Sequence, residues 1–194
     1  MSAPPWIVAV VCGASGAGKT WVAERLAARY DVPLSAGDDI VTALQAFTTP
    51  DQQPLLHYWD THPEAFEWPP ARIAEHHLSV VDSLQGAYRA VVADHVECQA
   101  PVVLEGDYLL PELANGFGGQ VRAFLLAEPD EDQIVANYLA REPDEAAQRL
   151  RAQISVEVNE RLTARAHAAG MPVVPARPWA DSLDRVDAAL RGQG

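Results

Sequence analysis

Eight consecutive residues, Gly13-Ala14-Ser15-Gly16-Ala17-Gly18-Lys19-Thr20, match the phosphate-cradling pattern G-x-x-x-x-G-K-[ST] in full. Of the 14 lysine and arginine residues in the chain, Lys19 alone is lysine. A drift toward arginine explains why lysine is scarce, but not why the one that remains sits in this slot. A compact ammonium reaches between phosphate oxygens where a planar guanidinium does not. The pattern predicts that the backbone turns at Gly13, Gly16 and Gly18 and points successive N–H groups at the phosphates of a nucleoside triphosphate. Lys19 is expected to bridge the outer phosphates, and the Thr20 hydroxyl to ligate Mg²⁺.

Carboxylates follow at positions that suit phosphoryl transfer. Asp38 and Asp39 come just after a short apolar run, at the end of what reads as a second strand. In an open α/β sheet that end faces the ligand crevice. A carboxylate there can deprotonate an acceptor hydroxyl or hold Mg²⁺ through water. Asp38 is the preferred base and metal-side group. Asp39 is expected to cap the next helix or touch substrate. Glu105 ends a third strand at the same edge, and Asp107 is two residues on. Both are expected on the substrate side, Glu105 with a second reading as a metal-side carboxylate.

Arg141, Arg149 and Arg151 flank the acidic break Glu142-Pro143-Asp144-Glu145. A lid carrying them could close on the γ-phosphate, with Arg141 and Arg149 as the charge-stabilising pair. As ordinary surface ion pairs they would contribute little. Arg177 lies just after the last strand, where a guanidinium could stack on a base. His57, Trp59 and Asp60 are expected in the acceptor pocket. The histidines lack H-E-x-x-H spacing and the cysteines lack C-x-x-C spacing, so no zinc site is expected.

The elements that must position these groups alternate in type. Trp6–Val11 is a continuous apolar run, suited to a strand covered on both faces. A helix is expected over 19–30, a second strand over 32–35, and a long helix from Pro69-Pro70 with Ile73, His77, Val80, Val81, Leu84, Tyr88, Val91 and His95 on its apolar face. Strands are expected at 102–104, 121–127 and 171–175. Helices are expected at 130–141, then up to Ala169 with Leu150, Ile154, Val158 and Leu162 inward, and last after an Asp181 cap. Such alternation implies one α/β domain over 1–194, a parallel sheet with helices on both faces. The polar, aromatic stretch from Gln45 to Pro70 is too long for an idle connection. It belongs to a substrate-side insertion over 45–98, with a lid at about 141–151.

A net charge of −13 leaves no basic stripe for nucleic acid. No run of about 18 apolar residues is present, so no membrane span is expected. Met1–Pro5 lacks the basic region of a secretory signal. Cys12 and Cys98 read as thiols of a reducing cytoplasm, Cys12 buried in a strand. The expected partner is a small-molecule acceptor, with no nucleic acid and no membrane. A homodimer is compatible with the sequence.

These residues resemble the P-loop small-molecule kinases, the group of the shikimate, gluconate and adenylate kinases. The resemblance spans Trp6 to about Leu190 and rests on Gly13–Thr20, Asp38, the arginine-bearing lid and the late strand before Arg177. Ser35-Ala36-Gly37-Asp38-Asp39-Ile40 and Val103-Leu104-Glu105-Gly106-Asp107-Tyr108-Leu109-Leu110-Pro111 look most like 2-phosphoglycerate kinases and chloramphenicol-phosphotransferase-like proteins. The resemblance implies a three-layer P-loop NTPase fold whose five parallel strands lie in the order 2-3-1-4-5. It also implies ATP-dependent transfer to a hydroxyl, with Mg²⁺.

Two alternatives compete with a metabolite or natural-product kinase. A nucleoside or nucleotide kinase would stack an acceptor base on Trp59 or Trp68. A non-catalytic nucleotide-binding regulator would need no base at Asp38. A guanine switch is excluded, because N-K-x-D needs a second lysine.

Overall fold

The computed structural model describes residues 3–192. Five parallel strands form one sheet in the order β2-β3-β1-β4-β5. The chain runs β1 (Val8–Cys12), α1 (Lys19–Tyr30), β2 (Leu34–Ala36), α2 (Gly37–Phe47), the short α3 (Tyr58–Thr61), α4 (Pro70–Glu97), β3 (Val102–Glu105), β4 (Val121–Ala127), α5 (Glu131–Arg141), α6 (Arg149–Ala168), β5 (Val173–Pro175) and α7 (Ser182–Arg191). The expected fold class and strand order are those observed.

Alternation along β1 sorts the core into two layers. Val8, Val10 and Cys12 meet α4 and α6 residues such as Val81, Tyr88, Val158 and Leu162. Ala9 and Val11 meet α1 and α7 through Val22, Leu26, Val186 and Leu190. Val103 shares the second layer and Leu104 the first, so Glu105 continues toward the α1 side. Strand register then fixes the edge. Glu105 is level with Val11 of β1 and Ala36 of β2. The turns at Gly13, Gly37 and Gly106 therefore leave the sheet side by side.

Two strands begin later than the apolar runs suggest, for one physical reason. The N–H groups of Asp31 and Val32 bond back to the last turn of α1, at Ala28 and Ala27, so β2 starts at Leu34 rather than Val32. Gly170 and Met171 do the same for α6, bonding His167 and Ala166, and β5 starts at Val173. Open helix-end carbonyls take these residues before the sheet can.

Three side chains differ from the pattern-based expectation. Asp39 does not cap α2, whose N-cap is Ala36; Asp38 and Asp39 both lie in the first turn, where the helix dipole favours them. Leu150 is half exposed because in the first turn of α6 the buried position is Ala152, which clusters with Ile134, Val135 and Tyr138 of α5. Asp181 holds the N-cap position of α7, but its carboxylate pairs with Arg185 one turn on. On α4 the buried face takes in Leu78 and Val92, beside the expected Val80, Val81, Leu84 and Tyr88. That packing makes α4 a wall of the sheet sandwich.

Candidate active site

The loop after β1 is shaped by glycine where its neighbours press closest. Gly18 has φ +89°, and a Cβ there would collide with the Trp179 ring. Gly16 has φ +76°, and a Cβ would lie 2.8 Å from Ile134 Cγ2. Left-handed backbone and close packing together exclude other residues at both positions. Asn137 of α5 donates to the Gly16 carbonyl at 2.7 Å, tying the loop to the helix that leads into Glu142.

Lys19 is 5% exposed. Its ammonium donates to the Ala14 carbonyl at 2.9 Å and pairs with Asp107. Burial pushes the ammonium down, but Asp107, Glu105 and Asp38 more than reverse this, and Lys19 stays charged above its ordinary value. Burial likewise raises the Asp107 carboxyl, and Lys19 overrides it, leaving Asp107 below the usual carboxylate range. The Thr20 hydroxyl donates to Glu105 Oε1 at 3.3 Å, as the sheet parity of Glu105 requires. Across the cleft the Asp107 N–H points at Asp38 Oδ1, 3.4 Å away. Tyr88 holds the start of α2 in place through a buried bond from its hydroxyl to the Gly37 carbonyl at 3.0 Å.

Asp38 and Glu105 are strained in charge. Burial raises the Asp38 carboxyl, and the nearby Asp107 raises it further. Burial also raises Glu105, with Asp38 and Asp107 adding to it against the pull of Lys19 and Thr20. A raised carboxyl favours the fold only while protonated. Its contribution is present below the ordinary value and lost as pH rises through the raised one. Glu105→Gln keeps an acceptor for Thr20 and removes one charge. It is expected to raise the ligand-free Tm by about 1–4 °C at pH 7 and to lose that gain below pH ~4. Thermal denaturation across that range measures both.

A cavity of about 170 Å³ lies among Ser15, Lys19, Thr20, Asp38, Glu105 and Asp107, closed on its far side by Tyr138 and Arg141 of α5. Other residues singled out from the sequence lie elsewhere. Arg149 pairs with Glu131 and Asp132. Arg151 pairs with Glu142 and sits over the Tyr138 ring, 4.2 Å from its centroid. Arg177 is held by the buried Glu128 and by Asp130. Asp39 is exposed and does not line the cleft. His57 is buried against Thr48, at 3.0 Å. Trp59 packs with Phe66, Trp68 and His76. Two groups escaped the sequence reading. Asn137 lies four residues before Arg141, on the same face of α5. Trp179 follows Arg177 by two, and with Trp21, Ala140 and Arg141 it lines a cavity of about 550 Å³ next to Gly18.

The donor set bears on a metal. Among the described residues, no three His, Cys, Asp or Glu side chains converge as an all-protein cage requires. Mg²⁺ in phosphate sites needs only one or two protein oxygens beside phosphate and water. Thr20 and Glu105, with Asp38 across the cleft, fit that demand. Among the described residues, no helix is long and apolar enough to cross a membrane.

No family model matches the chain. An adenylate kinase from Gemmatimonas aurantiaca is 31% identical over 146 residues, which are 74% of this chain and 63% of that protein. The match thus spans less than two thirds of that relative's length. A gluconokinase from Sinorhizobium meliloti superposes with a TM-score of 0.53 at 18% identity, over 98% of this chain and 94% of its own. Shikimate kinase from Acinetobacter baumannii, solved with shikimate, gives 0.53 at 13% identity, over 96% and 92%. The chain is similar in sequence to a P-loop small-molecule kinase and has the three-layer fold of that group.

Proposed function

We propose that this protein is an ATP-dependent phosphotransferase that moves the γ-phosphoryl group to a hydroxyl of a small metabolite or natural product. The observation that carries this reading is the convergence of Lys19, Thr20, Asp38, Glu105 and Asp107 at one sheet edge, beside a glycine-shaped anion loop. The cavity between Trp21, Trp179 and Arg141 would take the base of the nucleotide. Thr20 with Glu105 or Asp38 would hold Mg²⁺, which supplies charge neutralisation on the phosphates.

In the transfer, the acceptor oxygen bonds to the γ-phosphorus as the bond to the bridging oxygen breaks, and ADP leaves with that electron pair. Asp38 takes the hydroxyl proton; its raised value brings it closer to neutral pH, where a base is most effective. Lys19, released from Asp107, meets the growing charge on the phosphates. Arg141 reaches the same cleft from α5, and residues 141–151 serve as the lid. Residues 45–69 cover the acceptor side.

A nucleoside or nucleotide kinase is the second reading, favoured by the name of the adenylate kinase relative. ADP release measured against hydroxylated metabolites, nucleosides and nucleoside monophosphates decides between the two. Transfer confined to the monophosphates would overturn the hydroxyl reading. Mg²⁺–ATP at ~100 times its Kd should raise Tm by about 5–10 °C. Trp179→Ala should weaken ATP about tenfold through lost stacking.

A further inference from the structure

Resting on the phosphotransferase reading, we infer that the acceptor is a neutral alcohol with an apolar, ring-bearing body, seated between the aromatic segment before α4 and the first turns of α6. A cavity of about 670 Å³ lies there, within the usual size of small-molecule sites. Its walls include Trp59, Phe66, Ile73, His77, Leu150 and Ile154. Phe66 is 56% exposed and Leu150 50%, the two large apolar side chains left open on its opposite sides. Nothing in the core asks for either, because α4 and α6 bury their inner faces elsewhere.

Position links this cavity to the chemistry. His77 stands against the Tyr108 ring, 5.2 Å between centroids, and interacts with the Asp107 main chain. Asp107 in turn holds Lys19. Burial drives the His77 imidazole below its ordinary value, so it is neutral at pH 7. A hydroxyl entering at His77 therefore meets the Asp107 turn, whose N–H faces Asp38, while its carbon body rests on Trp59, Phe66 and Leu150. On the α6 side, Arg151 packs over Tyr138 in the wall of the phosphate cleft.

Charge excludes the usual anionic acceptors. Arg149 and Arg151 border the cavity, but Glu131, Asp132 and Glu142 already neutralise them. Glu142 is pushed down to about 2 by bonds from Gln148 and Arg141, so it stays ionised across the working range. Asp38, Glu105 and Asp107 face the transfer point and repel a second carboxylate or phosphate. Arg72, the cation nearest the aromatic segment, is stacked on the Trp68 ring, 3.6 Å from its centroid, and a neutral body has no charge to desolvate against carbon walls.

Naphthylmethanol and its acid counterpart naphthoate test this directly. Quenching of Trp59 fluorescence, read as the difference between wild type and Trp59→Phe, reports binding without turnover. ADP release with Mg²⁺–ATP reports transfer. The expected result is saturable quenching by the alcohol at least tenfold tighter than by the acid, with transfer to the alcohol alone. Leu150→Asp and Phe66→Asp, both at exposed positions, should raise its KM at least tenfold while the Kd for ATP is unchanged. Equal or tighter binding of naphthoate overturns the inference, as does an unchanged KM in both variants. Alcohol-selective quenching without any transfer, ATP remaining bound, supports the cavity and overturns the phosphotransferase reading instead.

Discussion

Lys19→Ala is expected to lower ATP turnover on the order of 10³-fold, and Lys19→Arg to come within about tenfold of that loss. The reasoning starts from geometry. The ammonium is buried, donates to the Ala14 carbonyl and is held by Asp107, point-charge contacts that a planar fork does not reproduce. The substitution also acts on the empty protein. Removing Lys19 leaves the mostly buried Asp107 without its counter-charge, and breaking such a pair costs about 3–5 kcal/mol when fully buried. The Asp107 side chain keeps 28% of its exposure, so a smaller loss follows, read as a Tm lower by several degrees. Adding Asp107→Asn should restore most of the Tm and none of the turnover. Thermal denaturation without nucleotide and ADP release with Mg²⁺–ATP check the two effects separately. Full activity in Lys19→Arg would overturn the role given to this residue.

The same pair shows why the fold was legible and the site only in part. Strands and helices follow from local pattern: a doubly covered β1 is apolar throughout, and α1 begins where the glycine loop ends. The edge that collects Asp38, Glu105 and Asp107 follows from strand ends and register. Side-chain commitments are different. Arg177 and Arg149 look free in the sequence, yet Glu128, Asp130, Glu131 and Asp132 claim them, and those partners lie 17 to 49 residues away. Asn137 could be seen only once α5 was laid against the loop, because its partner is the Gly16 carbonyl. His77 read as one more core position of α4, since helical spacing says nothing of the Asp107 turn it meets. Local order is written in neighbours along the chain; the pairing of charges is written across the fold.

Asp38→Asn separates the catalytic reading from the regulatory one. The carboxylate borders the cleft opposite Lys19 and Thr20, with Asp107 close enough to raise it. As the base it should cost about 10²–10⁴ in turnover when lost, with ATP affinity within about threefold of wild type. Asp39→Asn, outside the cleft, should stay within about threefold in both. Stability need not follow activity. The charge is disfavoured by burial and Asp107 but favoured by the first turn of α2, so the ligand-free Tm should stay close to wild type while turnover falls. The pH profile adds a sign that a structural role would not move. Asp38 ionises above the usual carboxylate range, so the acid limb of kcat/KM lies above pH ~4. Asp107→Asn takes away the repulsion and leaves the backbone N–H that bonds Asp38, so residual activity in that variant should show the limb at lower pH. An acid limb that stays in place, or turnover untouched in Asp38→Asn, would assign proton removal to another group and leave Asp38 as a spectator of the cleft.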